Sequence, residues 1–209
     1  LSSVEDWDFW IRVGKLGAER EVISIPLVAY RYLSNSMSRN PWRMYENSIR
    51  VIERINTHDE RISKQNAGLS DSKNDLRNSI KIRLIQSIGL AVMQGNMDVA
   101  LDRFRIEGRK YYLEFKPADF KQMNSFMTFK NFVRKDEVIG LLEKYPKQFE
   151  TFFSKTYFTT SFQQAALFHV FIAHQKKRNR LQYGIFGRWK NWKLDNKRRG
   201  LERNFEKGY

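Results

Sequence analysis

The first clear hydrophobic pattern in the chain is helical. Trp7, Trp10, Ile11 and Gly14 follow the i, i+3, i+4, i+7 spacing, which predicts a helix over 4–16 with Trp10 in the core. Ser3 is the candidate N-cap, with Asp6 three residues on, close to a capping box. Gly17 suits the C′ position that closes such a helix. The period then changes. Val22, Ile23, Ile25, Val28, Tyr30 and Tyr32 predict two short strands, or one bent edge strand interrupted at Pro26, since proline cannot donate to a central ladder. "LSNSMSRNP" at 33–41 reads as a loop.

From Pro41 the helical period returns. Trp42, Tyr45, Ile49 and Ile52 lie on one face, with Pro41 suited to the first turn. A polar break over 57–75 contains Gly68. A second long helix is expected at about 73–94, striped by Ile80, Leu84, Ile88 and Ala91. Gly95-Asn96 ends it, and a partner helix from Met97 makes a helical hairpin. Phe-rich helices are expected at about 117–127, 130–144, 147–154 and 161–176, the last with Ser161 and Gln164 as a capping box. Phe120, Met123, Phe126 and Phe129 read as a helix-packing stripe. No fixed-period repeat is present, which disfavours a solenoid.

Composition narrows the class. The 209 residues suffice for one domain or two small ones, and they begin with Leu, which leads us to expect a piece of a longer protein. No apolar run approaches the length of about 20 residues that a membrane span needs. The absence of cysteine excludes disulfides, thiolate metal sites and a cysteine nucleophile. His58, His169 and His174 lack metal-site spacing and read as structural or solvated.

The net charge of +15 is uneven. Residues 174–209 carry 12 Lys and Arg against 3 Asp and Glu, whereas the preceding residues carry 26 against 20. A basic tail on a more balanced body points to an anionic surface, either lipid head groups or nucleic acid. In that tail Phe186, Trp189 and Trp192 alternate with Arg188, Lys190, Lys193 and Lys197. Indoles among cations suit a membrane interface, and also single-stranded nucleic acid.

The N-terminal pieces carry the most specific signal. Acids in a helix first turn are common, so "ED" alone says little. Here "EDWDFWIRVGKLG" is followed by "ISIPLVAYRY" and then "SNSMSRNPWRM". In order and spacing this resembles the end of the catalytic domain of family 2 glycosyltransferases, which are inverting, nucleotide-diphospho-sugar-dependent enzymes of GT-A fold. The resemblance rests on Glu5, Asp6, Trp7, Asp8, Trp10, Arg12, Gly17, Tyr30, Arg31, Ser36 and Ser38, and covers about residues 1–55.

The resemblance implies a mainly α chain. A short helix-plus-strand remnant of a GT-A α/β catalytic domain would occupy 1–57. An α-helical C-terminal extension would follow over 58–175, and a basic aromatic tail over 176–209. It implies that Asp6 is the general base for the acceptor hydroxyl, because a sugar hydroxyl is a poor nucleophile and needs a carboxylate within hydrogen-bond reach. Glu5 would bind or orient the acceptor. Trp7 would stack on a sugar ring, although a core role fits it equally well. Arg31 would lie near the diphosphate, which suits a guanidinium fork.

The donor partner would be a nucleotide-diphospho-sugar and the acceptor a glycan or lipid-linked glycan, as in polysaccharide assembly. A divalent metal, Mg or Mn, is expected for the full-length enzyme. Its Asp-x-Asp motif would precede "ED" and is not in this chain; Asp6 and Asp8 lie within the predicted helix instead. Leu33 also stands where many relatives have a histidine that helps with the metal or diphosphate. The 209 residues alone are therefore expected to be inactive. Such enzymes often act on lipid-linked acceptors, so the resemblance implies a cytoplasmic location, peripheral at the membrane face, and favours anionic membrane over nucleic acid as the partner of residues 176–209. The alternative reading is a non-catalytic helical adaptor whose basic tail binds anionic membrane or nucleic acid.

Overall fold

A computed structural model of the chain describes residues 3–19, 21–25, 40–55, 57–62, 73–124, 146–183 and 190–196. Among them the regular structure is wholly helical. It comprises α1 (Glu5–Lys15), α2 (Pro41–Ile55), α3 (Lys73–Met93), α4 (Met97–Lys110), a 3-10 helix (Pro117–Asn124), α5 (Pro146–Ser154), α6 (Thr160–Tyr183) and a short α7 over 190–196.

The strand expectation needs correction. Residues 21–25 are irregular, and Val22, Ile23 and Ile25 are exposed, Val22 to 81%. A β-branched run becomes a strand only against a neighbour that takes its backbone hydrogen bonds, and no strand lies among the described residues. Residues 26–32, including Tyr30 and Arg31, fall outside the described set, as do Ser36, Ser38 and the helix expected at 130–144. The helical part of the expected fold class holds; an α/β remnant is not seen among these residues.

The helix ends follow from local chemistry. Asn40 caps α2, its side-chain oxygen accepting from Arg43 N at 3.0 Å, with Pro41 in the first turn. Helix α1 closes in a Schellman turn: Ala18 N donates to Val13 O and Gly17 N to Gly14 O, with Gly17 at φ 77. Helix α3 closes in the same way at Gly95, through Asn96 N to Ala91 O and Gly95 N to Val92 O, which sets the hairpin with α4. Two cap expectations fail. The residue before α1 is Val4, in a left-handed conformation with no side-chain cap, and Ser3 is drawn away to α2. Before α6 the cap is Thr159, accepting from Phe162 N, rather than Ser161.

The core lies where α3 meets α2, α4, the 3-10 helix and α5, with α6 packed on the 3-10 helix. Ile80, Leu84, Ile88 and Ala91 form the buried stripe of α3, as their spacing predicts. A second layer is aromatic: Phe104, Phe120, Phe152, Phe153 and Phe158 meet mostly edge to face at 5.0–5.8 Å. Residues 117–124 form a 3-10 helix instead of the expected α-helix. It runs so close to α3 that a Cβ built on Gly89 would stand 2.2 Å from Met123 O. Asn124 ties its end to α6 by donating to Val170 O at 2.9 Å.

Candidate functional site

Helix α1 carries the acidic motif, and polar anchors hold it to α2. Asn47 of α2 donates to Ser3 Oγ at 2.8 Å, both residues being buried. Asp8 is buried and meets three guanidiniums: Arg54 at 2.8 Å, Arg61 at 3.2 Å and Arg12 at 3.5 Å. Arg61 also grips Asp59, with Nη2 at 2.6 Å and Nε at 2.7 Å from its carboxylate oxygens. Lys15 is buried and donates from Nζ to Arg54 O and Thr57 O, each at 2.6 Å. Its ammonium therefore sits on orphan carbonyls at the C-terminus of α2, the negative end of that helix dipole.

These contacts set the local electrostatics. Burial raises the Asp8 pKa, but hydrogen bonds from Arg54 and Arg61, with their charges, hold it below the usual carboxylate value. The hydrogen bond from Arg61 brings the Asp59 carboxyl down to about 2.

With Asp8 and Lys15 turned inward, the opposite face of α1 turns out. Glu5 and Asp6 are both exposed. Asp6 Oδ1 accepts from Trp7 N at 2.8 Å, and its other oxygen has no protein donor among the hydrogen bonds of the described residues. Trp7 is half-buried, and the Arg83 guanidinium lies over its ring at 4.6 Å, so one indole face is taken up by α3. Trp10 is 65% exposed, which corrects the core position expected for it; it packs edge to face on exposed Phe9 at 5.2 Å. Arg31 lies outside the described residues, so Glu5, Asp6 and Trp7 are the expected site residues whose placement is known.

Lys15 and Asn47 were not singled out by the sequence, and Asp8 entered only as a position of the motif, without its anchoring role. Asp8, Arg12 and Lys15 share the i, i+4, i+7 spacing, a signal for one polar face that can be turned inward as well as outward. Among the described residues no group of three His, Asp or Glu side chains could hold a metal ion.

A second polar cluster fills the angle between α2 and α4. Tyr45 OH donates to Glu107 Oε2 at 3.1 Å, Arg103 bridges Glu46 and Glu107, and Tyr111 OH donates to Glu53 at 3.2 Å. Burial, then the charge and hydrogen bond of Glu107, push the Tyr45 phenol far above its usual pKa. This cluster is internally paired and acts as an interhelical clasp.

The C-terminal region folds back on α6. Asn179 donates to Asn191 Oδ1 at 3.0 Å, Asn191 donates to Lys176 O at 3.2 Å, and Lys176 pairs with Asp195. Lys190 Nζ sits 3.3 Å from the Tyr183 ring centre, while Trp192 stays exposed. No described helix is long and apolar enough to cross a membrane. No family model, curated protein or solved structure matches the chain.

Proposed function

We propose that the chain is the C-terminal portion of a nucleotide-sugar-dependent inverting glycosyltransferase, with Asp6 as general base. The observation that carries this reading is the ordered set of sequence pieces: the Glu-Asp-Trp helix closed by Gly17, then the Tyr-Arg segment, then the Ser-rich loop. Two features support it. Asp6 is presented outward at the start of a helix fixed by Ser3, Asp8 and Lys15, so the carboxylate has a defined direction without being used up by the fold. The exposed apolar residues Phe9, Trp10, Val22, Ile23 and Ile25 would be covered by the rest of the catalytic domain, where the predicted strand would find its neighbour.

In the proposed reaction the acceptor oxygen attacks the anomeric carbon from the face opposite the leaving group. The bond to the diphosphate breaks, and the acceptor proton passes to Asp6. Glu5 binds a neighbouring acceptor hydroxyl, and the resemblance assigns Arg31 to the diphosphate. The exposed part of half-buried Trp7 meets the sugar. The divalent metal expected of the full-length enzyme would be held by residues outside this set, since the described residues make no metal site.

The test uses the full-length enzyme. Asp6→Asn is expected to lower transfer by roughly 10²–10⁴-fold while donor binding persists; unchanged turnover would retire Asp6 as base. The helix over 190–196 places exposed Trp192 beside Lys193 and favours an anionic lipid surface as a further contact, at a cytoplasmic membrane face. Flotation with anionic but not neutral liposomes is the expected result, and equal partition to both would remove that contact.

A further inference from the structure

We propose that two grooves flanking the Tyr112–Glu114 turn bind an acidic oligosaccharide, with pyranose rings on the tyrosines and a sugar carboxylate on Arg109. This deepens the sugar-transfer reading and rests on it for its role, as an acceptor-chain subsite.

The first groove encloses about 520 Å³ and is lined by Arg105, Arg109, Tyr112, Glu114 and Tyr157 among others. The second encloses about 250 Å³, shares Tyr112 and Glu114, and adds Arg77, Asn78 and Lys81. Together they make a track across α3, α4 and the turn after α5, with the Tyr112 turn as its ridge. The larger volume falls within the range of small-ligand sites, and the ridge between the grooves suits a chain more than a single compact ligand.

Backbone geometry supports a role for the ridge. Helix α4 ends in a third Schellman turn, with Tyr112 N donating to Arg109 O and Leu113 N to Gly108 O. The left-handed residue here is Tyr112, at φ 50, where the turns after α1 and α3 use glycine. A left-handed conformation costs a non-glycine residue roughly 1–2 kcal/mol. The Tyr112 ring is 79% exposed, and residues held in sparsely populated backbone conformations cluster at ligand sites.

Tyr157 is a fixed platform. It is 67% exposed, yet its ring stacks near Phe104 at 5.9 Å and packs against Phe158 at 4.8 Å. An exposed aromatic held by the core loses little entropy when a ligand covers it.

Charge selects the ligand class. Among the described residues Arg77 and Arg109 form no ion pair, whereas Lys81 is matched by Asp119 at 2.9 Å and Arg105 lies 4.0 Å from Asp102. The lining is therefore net cationic, and an uncommitted guanidinium fork suits a carboxylate. Glu114 stands on the ridge shared by both grooves. A polyphosphate backbone would be repelled there, but a sugar hydroxyl donates to a carboxylate while neighbouring hydroxyls accept from arginine. Donors and acceptors side by side with aromatic faces fit a glycan better than a nucleic acid.

The experiment is isothermal titration of the 209-residue chain with tetragalacturonate, with maltotetraose as neutral control and an eight-nucleotide oligothymidylate as nucleic-acid control. Saturable binding of the uronate is expected, weakened at least tenfold by Arg109→Ala and by Tyr157→Leu. If Arg109→Ala does not fold by circular dichroism, Arg109→Gln replaces it. Absent uronate binding, equal binding of the neutral sugar, tighter binding of the oligonucleotide, or indifference to the Arg109 variant would each overturn the proposal. The two readings fail separately: binding that survives while full-length Asp6→Asn keeps its turnover removes the catalytic assignment alone, and transfer without uronate binding removes the subsite alone.

Discussion

Gly89→Ala tests the packing on which the helical body depends. In an exposed helix this change would add roughly 0.5–1 kcal/mol of stability, because alanine has less backbone freedom to lose. At position 89 the new methyl would lie 2.2 Å from Met123 O, 2.6 Å from its Cα and 2.7 Å from its carbonyl carbon. All three atoms belong to backbone, so no side chain can swing away. The 3-10 helix must retreat by about 1 Å to reach ordinary contact, pulling buried Phe120 and Met123 from the core. Overpacking costs typically 1–3 kcal/mol, and rigid backbone places this case at the upper end, about 3 kcal/mol net. For a chain of this size that is a fall in Tm of roughly 6–12 °C, read by circular dichroism at 222 nm. Gly108→Ala is the matched control: its Cβ would meet only Phe115 ring atoms, at 3.4 Å and beyond, so Tm should hold or rise. A Gly89→Ala protein as stable as the parent would refute the close approach of α3 to the 3-10 helix.

Two further predictions concern stability. Asp8→Asn should destabilise by about 1–3 kcal/mol at neutral pH, less than the cost of breaking a wholly buried pair because its arginine partners are part-exposed. Asp8 and Asp59 both have folded pKa values below the ordinary 3.8, Asp59 at about 2, so their contribution is complete above pH 4 and lost as pH falls toward 2; Tm should drop across that window, less steeply in Asp8→Asn, and parallel curves would refute the assignment. Tyr112→Gly should raise Tm by roughly 2–4 °C by removing left-handed strain of about 1 kcal/mol, while weakening uronate binding; a lowered Tm would show that the turn is not strained.

The parts of the fold legible in the sequence were those where one physical signal dominated. Helix α2 and the α3–α4 hairpin combine an unbroken 3.6 period with Pro41 at the start and Gly95 at the turn. The 3-10 helix was legible as a packing face but not as a helix type. Phe120 and Met123 are three apart, and that spacing fits three residues per turn as well as 3.6. The run from Val22 to Ile25 carried β propensity, but propensity expresses fit to a neighbouring strand, and none is present among the described residues. Helix α1 departs from its hydrophobic pattern for a further reason. Its packing against α2 uses Asp8 and Lys15, whose charges read as surface, while aromatic Phe9 and Trp10 face outward. Those two charges can be buried because Arg54, Arg61 and the carbonyls of 54 and 57 receive them, and these partners lie 39 to 53 residues along the chain, beyond any local pattern.

That inverted helix bears directly on the candidate site. Asp6 and Asp8 stand two residues apart, and two steps along an α-helix turn a side chain by about 200°, so they point to opposite sides. One carboxylate is committed to three arginines and fixes α1 to α2; the other is exposed and, among the described residues, accepts only from its neighbour's amide. A sequence motif that keeps both acids thus combines two separate demands, an anchor and an available base. The demands separate by substitution. Asp8→Asn should lower Tm, and should reach turnover only through the position of the helix. Asp6→Asn should leave stability within about 0.5 kcal/mol of the parent, a Tm change of at most about 2 °C, as expected for an exposed site, while lowering transfer in the full-length enzyme by roughly 10²–10⁴-fold. If Asp6→Asn destabilises the chain as much as Asp8→Asn, then Asp6 belongs to the scaffold, and the case for it as a catalytic base loses its structural support.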